Sequence, residues 1–182
     1  MRSFIEASLP VQASAMDLPR ELEREFGVHG DVFGAGTYGQ VIAVVSHCSG
    51  QWFAAKLLEA ADCAAEVAAL RALKHRNLVE LLHLCRYKGK PALVFEAADL
   101  DLQRFLRTRG RPLTEVTGKG IAGQVAAGLS YIHQMQWMHR DLKTANVLVR
   151  CVDAPGLSPP NMLLQIADFG WARKCPEGGA CF

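Results

Sequence analysis

The chain changes character near residue 101, and this change constrains its fold more than any other feature of the sequence. Between Phe26 and Leu58, short runs rich in β-branched and aromatic residues alternate with turn residues, a pattern typical of strands. Beyond Asp101, apolar residues recur at helical spacing, most clearly between Thr114 and His133. Strands that precede helices, instead of alternating with them, predict an α+β fold.

The first half of the chain predicts a five-stranded sheet with one helix. Three strands are expected within residues 26–58, and two more at 78–84 and 91–96. Residues 62–73 are rich in Ala and Leu, so they predict a helix after the third strand, with Asp62 as its capping residue.

The second half predicts two helices, at 102–108 and 114–133, followed by short strands near 146–149 and 162–167. A Pro-rich stretch between these two strands is expected to be a surface insertion. The longer helix has one apolar face, formed by Ile121, Val125, Leu129 and Ile132.

Three glycines at the first predicted turn carry the first chemical signal. Gly34, Gly36 and Gly39 form a G-x-G-x-x-G-x-V pattern, in which missing side chains let backbone N–H groups approach a phosphate. The residues after Gly39 are strand-like, whereas a dinucleotide-binding fold would need a helix there. We therefore expect a β-hairpin over phosphates, with an ordinary glycine-rich turn as the alternative.

A lysine and a glutamate form the second signal. Lys56 ends the third strand-like run, and Glu66 follows ten residues later in the Ala-rich helix. Paired, Glu66 could hold the ammonium of Lys56 toward two phosphates, as phosphoryl transfer requires. Taken singly, the two residues could equally be a solvated strand end and a surface helix carboxylate.

The segment His139-Arg-Asp-Leu-Lys-Thr-Ala-Asn146 is the most specific motif in the chain. Within one loop, Asp141 could accept a hydroxyl proton, Lys143 could neutralise phosphate charge, and Asn146 could bind a metal ion. A second motif, Asp168-Phe-Gly, supplies a carboxylate suited to Mg²⁺, then an aromatic residue that packs and a glycine that permits a turn.

In this order, the four elements resemble the eukaryotic protein kinase family, Ser/Thr type, over about residues 26–173. The resemblance implies a two-lobed fold, with an N-lobe of five strands and one helix and a partial helical C-lobe that ends after the Asp168 motif. It divides the chain into an N-terminal extension (1–25), an N-lobe with hinge (26–98) and a partial C-lobe (99–182).

The same resemblance implies ATP and Mg²⁺ as cofactors and assigns roles at the phosphates. The three glycines would cover ATP, and Lys56, oriented by Glu66, would hold the α and β phosphates. Asp141 would be the catalytic base and Lys143 would steady the γ-phosphate. The metal-binding residues would be Asn146 and Asp168.

Around the nucleotide base, the resemblance implies a second set of contacts. Val41, Ala54 and Leu148 would sandwich the adenine. Phe95 would be the gatekeeper, backbone groups of Glu96 and Ala98 would meet the adenine, and Asp101 would reach the ribose. A regulatory spine would be built from Leu70, Leu81, His139 and Phe169.

Two further features suggest where in the family the chain belongs. Lys143, two residues after Asp141, is similar to Ser/Thr kinases, and the glycine loop with the hinge resembles the cyclin-dependent kinase branch. In that branch, Thr37 and Tyr38 would be inhibitory phosphorylation sites, because a dianion there would repel ATP. The helix at 62–73 carries no cyclin-binding signature, so the sequence does not predict cyclin dependence.

The sequence after the Asp168 motif contains no A-P-E segment and no later helices, so we expect a truncated or incomplete chain. The first hypothesis is an ATP-dependent protein Ser/Thr kinase with an unknown protein substrate. The second is an ATP-binding but inactive module that acts through a regulatory protein partner. The third is a scaffold outside the family, in which the motif matches are accidental.

Composition narrows the partners and the compartment. The 182 residues hold 20 Lys and Arg against 18 Asp and Glu, so no basic field favours nucleic acid or membrane as a partner. Six cysteines without a C-x-x-C pair are expected to be reduced. The opening residues lack the apolar run of a signal peptide, and no stretch resembles a membrane span. We expect a cytoplasmic protein, with the nucleus as the alternative.

Overall fold

The computed structural model describes residues 20–36, 39–152 and 161–176. Its strands are β1 (Arg20–Glu21), β2 (Phe26–Gly36), β3 (Gly39–Ser46), β4 (Trp52–Leu57), β5 (His83–Tyr87), β6 (Lys90–Glu96), β7 (Leu100–Asp101), β8 (Trp137–Met138), β9 (Val147–Val152), β10 (Asn161–Ile166) and β11 (Arg173–Lys174). Its α-helices are α1 (Ala60–Ala72), α2 (Leu102–Thr108) and α3 (Glu115–Gln134). Short 3₁₀ turns span Leu22–Arg24 and Thr144–Asn146. The expected α+β organisation is confirmed.

The first half of the chain forms a six-stranded sheet in the order β1-β5-β6-β4-β3-β2. Strands β2 to β6 are the five predicted strands, and all their pairings are antiparallel. The sixth strand was not predicted. It is β1, which pairs parallel to β5 through Arg20 opposite Cys85 and Glu21 opposite Arg86.

The fourth strand was predicted at 78–84, but most of this run does not belong to the strand. The start of the run pairs with the end of β10 instead. Strand β5 begins only at His83. Upstream of it, Leu78 forms an isolated parallel bridge with Ile166, and the backbone N–H of Val79 donates to the carbonyl of Ile166 at 3.0 Å. The apolar residues at 78 and 79 therefore join the two halves of the chain instead of extending β5.

Helix α1 begins two residues earlier than predicted. Its N-cap residue is Glu59, whose side chain makes no capping hydrogen bond, and the helix starts at Ala60. Asp62 therefore lies in the first turn and is not the capping residue, which corrects the prediction. An acidic residue there still favours the helix, since the N-terminal end carries partial positive charge.

The second half supplies two helices and a small sheet. Thr114 caps α3, because its Oγ1 accepts from the backbone N–H of Thr117 at 3.2 Å. Of the predicted apolar face, Ile121 and Ile132 are buried, while Val125 and Leu129 are partly buried. Strands β10, β9 and β7 form a three-stranded sheet in that order.

One buried hydrophobic cluster, which we call the shared cluster, contains residues from both halves of the chain. It contains Leu70 of α1, Leu93 of β6, Ile132 of α3 and Ile166 of β10, and Phe169 lies within it with no exposed surface. A second cluster, which we call the sheet cluster, packs against the six-stranded sheet and includes Val44, Ala55, Ala92 and Val94. The shared cluster matters for function, because it packs α1 against the end of β10.

Residues 20–25, predicted to belong to an extension, pack against the sheet. Leu22 has no exposed surface and lies in the sheet cluster with Phe26 and Cys85. The carbonyl of Glu25 accepts from the N–H of His47 at 3.0 Å. This segment therefore contributes to the hydrophobic core.

We expect Leu22→Ala to lower the free energy of unfolding by about 2–5 kcal/mol, because it opens a cavity in a fully buried site. Leu106→Ala is the matched control, since Leu106 on α2 is 39% exposed. Denaturant unfolding of both variants measures the difference. Equal, small losses would show that the segment merely rests on the sheet.

The cysteines depart in part from the prediction that all are reduced. Cys48, Cys63, Cys85 and Cys151 are free, and burial raises the pKa of the Cys85 thiol to about 11. Cys175 is disulfide-bonded, which corrects the prediction. Among the helices of the described ranges, none is long and apolar enough to cross a membrane.

Candidate active site

The three motif glycines lie where β2 turns into β3. In the antiparallel register, Gly34 is opposite Val41 and Gly36 is opposite Gly39. The predicted hairpin is therefore confirmed. Thr37 and Tyr38, predicted as phosphorylation sites, lie outside the described residues.

Lys56 lies in the centre of the sheet and contacts two carboxylates. It is flanked by Val41 on β3 and Leu93 on β6. Its Nζ lies 2.7 Å and 3.0 Å from the two carboxylate oxygens of Glu66, and 2.8 Å from Oδ1 of Asp168. The side chain of Lys56 is 12% exposed, so the ammonium is held on three sides by protein.

Glu66 is almost completely buried, and α1 holds it against the sheet. Burial raises the pKa of its carboxyl above the ordinary value, and this effect outweighs the opposing influence of Lys56. The nearby carboxylate of Asp168 raises the pKa of Glu66 further. The charge and hydrogen bonds of Lys56 lower the pKa of Glu66 against these effects and so favour its ionised form.

Asp141, Lys143 and Asn146 form one hydrogen-bonded loop. Lys143 Nζ donates to Asp141 Oδ2 at 2.8 Å, and Asn146 Nδ2 donates to the same oxygen at 2.9 Å. Asn146 Nδ2 also donates to the backbone carbonyl of Asp141 at 2.8 Å, which ties the two ends of the loop together. The hydrogen bond from Lys143 is the main cause of a lowered pKa at Asp141, so this carboxylate is ionised at neutral pH.

His139 connects this loop to Asp168. Its Nε2 lies 3.0 Å from the carbonyl of Ala167, and its ring meets the edge of Phe169 with centroids 5.0 Å apart. Burial lowers the pKa of His139, which favours the neutral ring. Since Phe169 is packed inward, Asp168 faces Lys56.

The four residues of the predicted spine meet at the shared cluster. Leu70 and Phe169 are buried members of it, and Leu81 packs against it. His139 contacts Phe169 directly. The structure thus brings the predicted spine residues together around one buried contact.

The predicted nucleotide-base residues lie where β4, β6, β7 and β9 approach one another. Ala54 is opposite Phe95 between β4 and β6, and Asp101 is opposite Leu148 between β7 and β9. Phe95 and Leu148 pack against the shared cluster. Residues 97–99 connect the two halves of the chain. Ala54 and Phe95 lie on the first-half side of this connecting segment, and Asp101 and Leu148 lie on its second-half side.

That connecting segment is held by its own polar contacts. The side chain of Glu96 forms an ion pair with Arg150 of β9, and the backbone N–H of Cys151 donates to Asp99 at 2.6 Å. Ala98 lies between these two contacts and is half-buried. Oδ1 of Asp101 accepts from the N–H of Arg104 at 2.8 Å, so Asp101 also caps α2.

A model of the protein kinase domain matches residues 28–181 of the chain. The chain belongs to the protein kinase family. This result agrees with the geometry, since the glycine hairpin, the pair of Lys56 with Glu66 and the hydrogen-bonded loop around Asp141 are all formed.

Curated relatives of the chain carry the names of a cell division control protein and of cyclin-dependent kinases. The chain is 38% identical over 151 residues to "Cell division control protein 2 homolog 3" of Trypanosoma brucei brucei, covering 79% of the chain and 46% of that protein. It is 34% identical over 151 residues to "Cyclin-dependent kinase D-1" of Oryza sativa subsp. japonica, covering 79% and 34%. The protein of that name from Arabidopsis thaliana is 30% identical over 175 residues, covering 92% and 42%. The chain thus spans a third to a half of the length of these kinases.

Kinases use Mg²⁺ with ATP, and two residues here fit that ion. Asn146 is buried, and its Oδ1 has no hydrogen bond to the described residues, since only its Nδ2 contacts Asp141. Asp168 binds Lys56 through Oδ1 alone. An amide and a carboxylate oxygen are suitable Mg²⁺ ligands, and the phosphates usually supply the others. In the described part of the chain, no three His, Cys, Asp or Glu side chains cluster as a metal site.

Polar contacts of two further side chains, Arg140 and Gln124, were not predicted. Arg140 Nε donates to the carbonyl of Trp171 at 2.8 Å, and its guanidinium lies 5.9 Å from the centroid of the Trp171 ring. Gln124 of α3 makes hydrogen bonds to Asn77 and to β10. A glutamine at a half-buried position of an amphipathic helix gives only a weak signal, because its partners are distant in the sequence.

Proposed function

We propose that the protein is an ATP-dependent protein Ser/Thr kinase that transfers the γ-phosphate of ATP to a Ser or Thr hydroxyl. One observation carries the proposal. Lys56 Nζ lies within 3.0 Å of both Glu66 and Asp168, so a phosphate-binding cation and a metal-binding carboxylate meet at one point. Phosphoryl transfer depends on such fixed charges, because positioning and electrostatic stabilisation supply most of the catalysis.

Binding of ATP would use the sheet half of the molecule. The glycine hairpin would cover the phosphates with backbone N–H groups. Lys56 would contact the α and β phosphates, held in place by Glu66 on its buried side. Val41, Ala54 and Leu148 would contact the adenine, with backbone groups of Glu96 and Ala98 at its edge and Asp101 near the ribose.

The transfer step would take place at the loop around Asp141. Asp141 is ionised and would accept the hydroxyl proton of the substrate as its oxygen attacks the γ-phosphorus. The bond from that phosphorus to the β-γ bridging oxygen breaks, and ADP leaves with the electron pair. Lys143, which contacts Asp141 in the structure, would also steady the γ-phosphate. Bound Mg²⁺ would be held by Asn146 and Asp168 and would neutralise phosphate charge.

A second candidate function is an ATP-binding module without transferase activity, because the contacts of Lys56 with Glu66 and Asp168 would serve nucleotide binding without transfer as well. In this case the chain would bind nucleotide and act through a regulatory protein partner. The names of two relatives suggest a cyclin as such a partner. A cytoplasmic location stays a prediction, which cell fractionation would test.

Two measurements on the 182-residue chain test these functions together. Mg²⁺-ATP at a hundred times its Kd should add about 2.7 kcal/mol to the unfolding free energy. A generic basic protein with labelled ATP should then yield phosphoserine and phosphothreonine on acid hydrolysis. Stabilisation without transfer supports the binding module. No stabilisation and no transfer would refute both functions, and phosphotyrosine as the main product would refute the Ser/Thr assignment.

A further inference from the structure

Strand β10, which leads to Asp168, is bonded on one side by side-chain amides and not by a strand. Strand β10 lies at the edge of its sheet, with β9 paired along its other side. Alternate residues of an edge strand present N–H and C=O groups that need partners when they are buried. In β10 these residues are Met162, Leu164 and Ile166.

Two side-chain amides satisfy this edge. Gln124 Nε2 donates to the carbonyl of Met162 at 2.9 Å, and Gln124 Oε1 accepts from the N–H of Leu164 at 3.0 Å. Asn77 Nδ2 donates to the backbone carbonyl of Leu164 at 2.8 Å. The backbone carbonyl of Asn77 accepts from the N–H of Ile166 at 2.9 Å. The two amides also bond to each other, from Asn77 Nδ2 to Gln124 Oε1 at 3.0 Å.

Burial makes these bonds important. Asn77 is 3% exposed, and Leu164 and Ile166 are each 1% exposed, so water cannot replace a lost partner. Helix α3 can come this close because residue 128 is a glycine. A Cβ at Gly128 would lie 2.9 Å from the carbonyl oxygen of Asn77.

The edge strand β10 ends two residues before Asp168 of the candidate active site. Ile166 is separated from Asp168 by Ala167 alone, whose N–H donates to the Asn146 carbonyl at 2.8 Å. Asp168 has a φ of +64°, a left-handed conformation that a non-glycine residue adopts only under constraint. A shift of β10 would therefore pass directly to the carboxylate of Asp168.

We propose that Gln124 is a positioning residue for the Mg²⁺-binding carboxylate of Asp168. Together with Asn77, it takes the place of a neighbouring strand and fixes the register of β10. Asn77 lies beyond the end of α1, which carries Glu66, so the same contacts link the two carboxylates that meet at Lys56. This inference rests on the proposed function and deepens it.

The test compares Gln124→Met with Gln134→Met in the 182-residue chain. Methionine keeps the length of the side chain and removes the amide in both variants. Gln134 is the matched control, because it lies exposed on the same helix and its side chain, among the residues that the structure describes, bonds to Ser130 on that helix alone. The affinity for a fluorescent ADP analogue is measured with Mg²⁺ and again with EDTA.

We expect Gln124→Met to weaken binding about tenfold with Mg²⁺, since residues behind a metal ligand typically have effects of this size or larger. Binding in EDTA should stay within about twofold, and Gln134→Met should change neither value. If Gln124→Met does not unfold cooperatively, Gln124→Glu replaces it. Glutamate keeps an acceptor for Leu164 but cannot donate to Met162, so we expect a smaller loss of the same Mg²⁺-dependent kind.

The outcomes separate this inference from the proposed function. Equal weakening with Mg²⁺ and with EDTA, or no weakening at all, would overturn the positioning role while nucleotide binding by the wild-type chain stands. Absence of binding by the wild-type chain in both conditions would overturn the proposed function and this inference with it.

Discussion

We expect Asp141→Asn to reduce phosphotransfer to a basic protein by about 10²–10⁴-fold, because it removes the proposed acceptor of the hydroxyl proton. Asparagine has nearly the same shape and can still accept a hydrogen bond from Lys143, so the loop should keep its fold. Initial rates with labelled ATP measure the effect. The affinity for Mg²⁺-ADP should remain within a few-fold, since Asp141 itself is not expected to bind the metal.

The same variant gives a pH signature. Lys143 and Asn146 hold the pKa of Asp141 below its ordinary value of 3.8. A carboxyl whose pKa is lowered by folding stabilises the protein at neutral pH, and this contribution is lost as the pH falls below that value. The stability difference between wild type and Asp141→Asn should therefore shrink in acid. A difference independent of pH, or undiminished transfer, would contradict the role given to Asp141.

Lys56→Met will both destabilise the protein and remove its activity. The Lys56 and Glu66 side chains are 12% and 3% exposed, and breaking a buried ion pair costs about 3–5 kcal/mol. Without the ammonium, the pKa of Glu66 should rise further and its carboxyl should take up a proton. Phosphotransfer should fall by about 10²–10³-fold, the loss typical of one missing electrostatic contact to the transition state.

Two further variants separate stability from catalysis. Lys90→Met removes an exposed ion pair with Glu59 and should change the unfolding free energy by at most about 1 kcal/mol. In the double variant Lys56→Met/Glu66→Met, stability should recover in part, because the nearly fully buried Glu66 carboxylate is gone while Asp168, which is 20% exposed, still lacks its cation. Activity should not recover. Recovery of transfer in the double variant would show that Lys56 acts only through folding.

Features carried by short local motifs could be predicted from the sequence. The approach of Lys56 to Glu66 follows from a strand, a short connection and a helix, so ten residues of sequence determine it. The loop from Asp141 to Asn146 is likewise local, with its hydrogen bonds spanning two and five residues. The glycine hairpin and strands β2, β3, β4 and β6 of the first sheet were also predictable, because turns and strand periodicity are encoded nearby.

Features that depend on distant partners could not be predicted. The run at 78–84 has strand-like composition, yet Leu78 and Val79 bond to Ile166 across the molecule. Leu22 has no local pattern that indicates its burial, which comes from the sheet cluster. Gln124 bonds to residues 38 to 47 positions away in sequence. In each case the tertiary partner, and not the local propensity, decides the structure.

The two rims of the six-stranded sheet are both poor templates for a further strand. An open, regular strand edge is a surface on which another chain can pair. At one rim, the edge strand β1 is two residues long and covers the backbone of β5 at Cys85 and Arg86. At the opposite rim, β2 is interrupted by irregularities between Val28 and Val32 and between Val32 and Gly34. Very short edge strands, and breaks that bend and twist a strand, both make addition of a further strand unfavourable. The short segment before Phe26 therefore shapes one edge of the sheet as well as filling its core.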